Sequence, residues 1–566
     1  MELFKRAKEK AFWKRVRTDQ KYAALIESVK KIFEMSRTQP LASLAYSARK
    51  QFKATGSRHE FEKPYFMRRQ YLTSSALLTL IYPEESRYLN ELQDVIWATL
   101  EEFSWALPAH TANPWDLPAD TCIDLFAVET GFSLAEICYL LSDRLDGEII
   151  ERLKAETERR IINSYLTRNF GWEKDKGNWA AVCAGCVAGT FMYLAPERFD
   201  SVSERIYKTM DCFLESFTDE GVCEEGLGYW QYGFGIFVWF ADLLRQFTNG
   251  RKDYFVSDKV EKVASFAQKN FMCGNQVVSF SDSARNVKIQ GALMSFLANE
   301  YPNSVHTLPD ALTGWIYGNG ISNDGNWIRC IRDFVYYDLS KEKGYLEKRN
   351  YDFIESGQVI INSEKYSLAI KANHNGEPHN HNDVGAFILS TEKGQIFCDF
   401  GTGRYTKEYF SEKRYDYLCT SSRGHSVPVI NNAYQKAGKE YRGSIAHVGN
   451  EITAEIAGAY GQSGLESVTR RFRYCENKIE LCDTFVSTEK KEYTDRFVTL
   501  IEPKVFDDHI IVENVKLSFD KDCVKPTVSS EQQAIHNQGG ETETVYLIDF
   551  ALNKGIESAK FVFEIV

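Results

Sequence analysis

The chain has 566 residues, of which 43% are apolar, 14% aromatic and 26% charged, and a formal net charge of −11. It is too long for one ordinary hydrophobic core and too apolar for a disordered chain, so two substantial domains are expected. The acidic balance argues against a protein held to nucleic acid by its overall field, because that binding needs a basic footprint. An anionic substrate then requires a locally basic cleft.

The N-terminal stretch MELFKRAKEKAFWKRVRTDQ is charged from the outset and has no continuous apolar region, so it does not read as a secretory signal. No run approaches the length of a membrane span either. The 13 cysteines are odd in number and scattered, which leads to the expectation of reduced thiols and a cytoplasmic location.

From residue 1 to 334 the apolar residues recur at helical spacing. YLTSSALLTLIYPEESRYLNELQDVIWATLEEFSWAL reads as two helices separated by Pro83, and CIDLFAVETGFSLAEICYLLSDRL as two more joined near Gly131. ERLKAETERRIINSYLTR, WAAVCAGCVAGTFMYL, SERIYKTMDCFLESF and YWQYGFGIFVWFADLLRQF continue the pattern, with Gly, Pro and Asp at the joints. No fixed-length repeat is evident, so a curved array or ring of helical hairpins fits better than a short-period solenoid. From about residue 335 the period shifts toward 2. Segments such as GQVIINSEKYSLAIKAN, GAFILSTEKGQIFCDFG, VTRRFRYCENKIELCDTFV and TVYLIDFALN are short, alternating and split by turn residues. Residues 335–566 are therefore expected to form an antiparallel β domain, most economically a sandwich.

HNGEPHNHNDVGAFILS, starting at His374, places three of the chain's ten histidines within eight residues and then enters a strand pattern. His379 and His381 are two apart and project to one side if extended. Asp399 lies at the end of the next strand, in GQIFCDFG, and His425 precedes another strand in SSRGHSVPVINN. His381, Asp399 and His425 would make a compact N/O set suited to zinc. Polar loop residues satisfied by hydrogen bonds are the competing explanation.

A second constellation lies in the helical half. DEGVCEEGLGYWQYGFG places Glu225, Tyr229 and Tyr232 at i, i+4 and i+7, on one face of a helix. Asn178, in EKDKGNWAAVCAGC, stands where a helix should begin, either as an N-cap or as a functional amide. Tyr229 has core packing as its alternative. Trp179 either stacks on a sugar or packs, and His110, in the Pro-rich ALPAHTANPWDLP, either lines a cleft or is a solvated loop residue. Arg285, in SFSDSARN, either contacts an anionic sugar or is a surface arginine. Cys183 and Cys186 lack a second pair and sit among Ala and Gly, which favours close helix packing over a redox or zinc role.

Taken in order, NW, the EGxxY helix, PHNHND, DFGTGRY and a later His before PVINN resemble the heparinase II/III-like polysaccharide lyases and their oligo-alginate lyase relatives, over roughly residues 100 to 435. The resemblance implies an incomplete (α/α) toroid followed by an antiparallel β-sandwich. It implies uronate neutralisation by Asn178, catalysis by Tyr229 and His379, and a mainly structural divalent metal, zinc by type, on His381, Asp399 and His425. Trp179, His110, Arg285 and Glu225 stand as candidate substrate-binding residues. The implied reaction is β-elimination on a uronate-containing glycan, a glycosaminoglycan such as heparin or heparan sulfate being favoured, to give 4,5-unsaturated ends. The expected partner is that anionic glycan, with neither nucleic acid nor membrane, and a homodimer is admitted. Two other readings stay open. One is a metal-dependent glycan hydrolase that activates water at the three-ligand site; the other is an inactive carbohydrate-binding protein.

Overall fold

The computed structural model describes residues 2–38, 41, 43–111, 118–317, 325–339, 344–377, 379–534 and 541–566. The chain forms two compact units. The first comprises Met1–Phe217, Trp230–Ser265 and Lys288–Tyr345, and the second Thr218–Tyr229, Phe266–Val287 and Leu346–Val566. The β-rich unit thus takes in two short segments of the helical half, one of which ends at Tyr229.

The first unit is an incomplete (α/α) toroid of helical hairpins. His59–Ile81 packs on Ala23–Arg37 and Ser86–Leu100, and Leu125–Leu140 packs on Asn178–Leu194, which also meets Asp200–Leu214 and Gly235–Phe247. Leu125–Leu140 and Asn178–Leu194 are buried almost all round, whereas Ser86–Leu100 and Asp200–Leu214 bury a single stripe. A helix apolar on every side must be covered on every side, so these two form the inner layer. Small residues make that layer dense. A Cβ on Gly189 would sit 1.7 Å from the Phe132 ring, and one on Gly185 would sit 3.2 Å from Phe240. Cys183 and Cys186 are buried within the same helix. Gly131 is not a joint between two helices as the sequence suggested. It lies inside the single helix Leu125–Leu140, where the missing side chain lets Ile161 approach; a Cβ would meet Ile161 Cγ1 at 2.7 Å.

The second unit is an antiparallel β-sandwich. A five-stranded sheet runs in the order Gly394–Phe397, Phe387–Thr391, Tyr366–Lys371, Gln358–Asn362, Tyr351–Phe353. An eight-stranded sheet has the long hairpin Leu465–Cys475 and Lys478–Ser487 near its middle, and a four-stranded sheet centres on Tyr493–Thr499 and Thr542–Leu552. Along Lys478–Ser487, Ile479, Leu481, Asp483 and Phe485 face inward, following the period of 2. Phe387, Phe397, Phe497, Phe561 and Phe563 meet edge to face in the core, and each fully buried ring stabilises by about 1.5–3 kcal/mol. All 13 cysteines are free. Among the described residues no helix is long and apolar enough to cross a membrane.

One ion pair is sealed inside this core. Arg470 and Asp483 are fully buried, with Arg470 Nη2 3.0 Å from Asp483 Oδ2. Arg470 Nη1 also donates to the carbonyls of Gly385 (2.8 Å) and Ser426 (2.5 Å). The guanidinium therefore ties down the chain just beyond the histidine loop and just after His425. Arg470→Ala would leave a buried carboxylate without its partner, a change that costs about 3–5 kcal/mol. Chemical denaturation should show the β-rich unit destabilised on that scale; a shift below about 1 kcal/mol would contradict the assignment.

Candidate active site

The histidine loop is held by its own polar residues. His374–Asn375 pairs with Gly438–Arg442, so His374 belongs to a short strand and not to the loop. Asn375 Nδ2 donates to Gln435 Oε1 (3.1 Å) and the Lys436 carbonyl (2.9 Å), while the Asn382 N–H reaches the Thr420 carbonyl at 2.9 Å. Beneath the loop, fully buried Lys371 lies 2.7 Å from Glu377 and 3.0 Å from Asp383. His379 itself has φ 53°, the left-handed region, which costs a residue with a Cβ about 1–2 kcal/mol. The surrounding bonds hold it there.

Five side chains converge on Asp282, a residue that the sequence reading did not single out. At Oδ2, His379 Nδ1 donates at 2.8 Å, Arg414 Nη2 at 3.1 Å and Tyr405 Oη at 3.3 Å. At Oδ1, His381 Nε2 donates at 3.0 Å and Tyr409 Oη at 2.5 Å. Burial alone would raise the Asp282 pKa. The hydrogen bonds from His379 and His381 and the charge of Arg414 outweigh it and hold the carboxyl well below the usual range. Because an ionised carboxylate only accepts, His379 carries its proton on Nδ1 and His381 on Nε2.

Tyr229 stacks on His379, with ring centroids 4.5 Å apart. Its hydroxyl is 3.4 Å from His379 Nδ1 and 2.6 Å from Tyr405 Oη. Burial, then the charge of Asp282, pushes the Tyr229 phenol well above its ordinary pKa, so it stays protonated. A phenol and an imidazole in contact, each with a defined proton, can act together in proton transfer.

Behind them, His381, Asp399 and His425 are all buried, and each offers a ligand atom within 4.8 Å of the others. Apart from one another, His381 Nδ1, Asp399 Oδ2 and His425 Nδ1 have no hydrogen-bond partner. His425 Nδ1 is nonetheless only 3.1 Å from Asp399 Oδ2, and His381 Nδ1 is 4.0 Å from Asp399 Oδ1. The opposite ring nitrogens are committed, His381 Nε2 to Asp282 and His425 Nε2 to the Cys419 carbonyl at 2.8 Å. Donors orphaned on one side and anchored on the other are what a bound cation requires. These three residues could hold a divalent ion.

Other sequence candidates are placed differently. Glu225, Tyr229 and Tyr232 do not share a helical face. Glu225 lies in the turn before the helix, which begins at Leu227 after left-handed Gly226, and a π-turn at Trp230–Phe234 shifts the register ahead of Gly235–Phe247. Glu225 is buried in the second unit, whereas the Tyr232 hydroxyl bonds Glu129 in the first. Arg285 donates to Glu543 at 2.8 Å and is engaged by a sandwich strand. In the first unit, Asn178 is the first residue of its helix, and Gly177, not Asn178, holds the cap position. Asn178 packs on Gly233, where a Cβ would come within 3.0 Å of its own. Trp179 meets His110 edge to face at 4.8 Å, and His110 Nδ1 is 2.8 Å from Asp124, which also caps Leu125–Leu140. Residues 112–117 of the same Pro-rich segment lie outside the described residues.

Comparison with known proteins agrees with this architecture. Residues 347–556 match the family described as Heparinase II/III-like, C-terminal. No match is found among curated proteins. Among solved structures the chain is similar to heparinase III, with a TM-score of 0.65 at 15% identity over 96% of this chain and 91% of that one. It is similar to a heparan sulfate lyase from Pedobacter heparinus (0.60, 11%, 95% and 87%). A chondroitin AC lyase from Streptomyces coelicolor A3, in complex with chondroitin sulphate, is similar too (0.58, 11%, 98% and 82%). At these identities the structural likeness shows the fold, which is that of the toroid-and-sandwich polysaccharide lyases. The family match is confined to the C-terminal domain, residues 347–556.

Two glycines let the segment carrying Asp282 fit. Gly226 has φ +94°, and a Cβ there would lie 2.6 Å from Ser283 Cβ; Gly401, in DFGTG, has φ +65°, and a Cβ there would lie 2.0 Å from the Ser283 carbonyl oxygen. Gly401→Ala should therefore cost at least about 1–2 kcal/mol from the backbone alone, with the steric clash added. A lowered melting temperature is expected; an unchanged one would show that the segment 281–284 tolerates displacement.

Proposed function

We propose that the chain is a polysaccharide or oligosaccharide lyase that cleaves a uronate-containing glycan by β-elimination. The contact of Tyr229 with His379, both organised around Asp282, carries this reading. The uronate C5 proton is only weakly acidic, so its removal requires neutralisation of the adjacent carboxylate, a base at C5 and an acid at the departing O4. Asn178, at the first helical position and not at the cap, is the amide proposed to hydrogen-bond the carboxylate as charge accumulates. His379, with Nδ1–H given to Asp282, keeps the lone pair of Nε2 for the C5 proton. Tyr229 enters as a phenol and protonates O4 as the bond to the leaving sugar breaks. The proton lost at C5 ends on His379, that of Tyr229 on the new hydroxyl, and the electron pair becomes the 4,5 double bond.

The favoured substrate class is a glycosaminoglycan of the heparan type. The matched family domain supports this, as do the names of similar structures, which include heparinase III and a heparan sulfate lyase. We further infer a divalent metal, zinc by its N/O donor type, on His381, Asp399 and His425. When bound it supplies positive charge and rigidity behind His379. His381 stands in the loop two residues from the base, and Asp399 and His425 complete the ligand set.

Purified protein incubated with heparan, chondroitin, hyaluronan and alginate oligosaccharides should raise ultraviolet absorbance with one of them. Tyr229→Phe and His379→Ala should each lower the rate by about 10²- to 10⁴-fold. New reducing ends without absorbance would turn the reading to a hydrolase, and binding without any product to a carbohydrate-binding protein. Zinc analysis should return about one equivalent for the wild type and a loss of metal in His381→Ala and His425→Ala. Metal retained in both variants would remove the proposed centre.

A further inference from the structure

We infer that Asp282 is a positioning residue that couples the base to the metal centre, its two oxygens fixing the proton positions of His379 and His381 together. The inference rests on the lyase reading for the role of His379 and goes beyond it in tying two sites through one side chain. His379 binds Oδ2 at 2.8 Å and His381 binds Oδ1 at 3.0 Å. A proton on His379 Nδ1 leaves Nε2 as the basic nitrogen. A proton on His381 Nε2 leaves Nδ1 as the ligand nitrogen, and Nδ1 is the buried atom without a partner. Rotation of Asp282 cannot serve one ring without changing the bond to the other.

The carboxylate is itself immobilised. Tyr409 at Oδ1 and Tyr405 and Arg414 at Oδ2 complete its shell, and Arg414 Nε is fixed by the Asn380 carbonyl at 3.1 Å, between the two histidines in sequence. The Asp282 carbonyl receives Thr402 Oγ1 at 2.5 Å, and Ser281 is held at φ 60°. Backbone and side chain are both pinned, at the expense of a left-handed non-glycine residue. No bond from Asp282 to substrate is needed; it acts through the two imidazoles.

Asp282→Asn keeps the shape but removes the charge and one acceptor, so the amide cannot satisfy both rings. Zinc affinity, measured by competition with a chromogenic chelator, should fall about 10- to 100-fold. At saturating zinc, kcat should fall about 10- to 100-fold while KM changes less than about twofold. His379→Ala should lose kcat and keep the wild-type zinc affinity, and thermal unfolding checks that each variant is folded. A loss confined to zinc affinity or to kcat, or no loss in either, would overturn the coupling. If Asp282→Asn does not accumulate as folded protein, Asp282→Glu is measured on the same two axes. Its extra methylene displaces the carboxylate from both rings, so wild-type values for either quantity would overturn the proposal. Absence of turnover by the wild type would instead refute the lyase reading, while the zinc arm still tests the link to His381.

Discussion

Asp282 receives three hydrogen bonds at one oxygen, from His379, Arg414 and Tyr405, and two at the other, from His381 and Tyr409. An ionised carboxylate taken out of water costs several kcal/mol unless its lone pairs are met, and here every donor is directed at it. The requirement propagates outward. Gly226 and Gly401 must lack side chains so that the segment around Ser283 can fit, and Ser281 and His379 both adopt left-handed backbone to aim the groups that meet. The same charge helps keep the Tyr229 phenol protonated.

Two further buried charges brace the surrounding chain. Lys371 between Glu377 and Asp383 holds the histidine loop from beneath, and Arg470 with Asp483 holds the carbonyls of Gly385 and Ser426. Neither is an efficient way to stabilise a sandwich, since a well-packed apolar replacement often serves as well. Their value here is positional: they fix loops that carry His379, His381 and His425 to a core whose aromatic packing is rigid. Proton transfer and electrostatic stabilisation both depend on groups held in place before the reaction begins.

The change from helices to strands was legible because the hydrophobic period changes from 3.6 to 2; that the β-rich unit also takes in Thr218–Tyr229 and Phe266–Val287 was not. His379, His381, Asp399 and His425 were legible because histidines and an aspartate recurred at strand ends. Asp282 was not. It stands in a Ser-Asp-Ser run, 97 residues before His379, and only the folded chain brings it to the loop. Tyr405, Tyr409 and Arg414 were hidden for the same reason. The expected helical face of Glu225, Tyr229 and Tyr232 failed because a left-handed glycine delays the helix and a π-turn shifts its phase, and neither changes the apolar spacing enough to be seen. Gly131 misled in a related way, since a helix breaker by composition serves here as a contact point for Ile161.

On the proposed mechanism the chain's own phenol and imidazole break the glycosidic bond without adding water. Digestion of a susceptible uronate oligosaccharide in heavy-oxygen water, followed by mass spectrometry of both fragments, tests it most directly. Elimination predicts fragments whose masses sum to that of the substrate, with no solvent oxygen at the newly formed ends beyond slow exchange at the reducing carbon. Heavy oxygen delivered stoichiometrically with each cleavage, and a summed mass greater by one water, would contradict it.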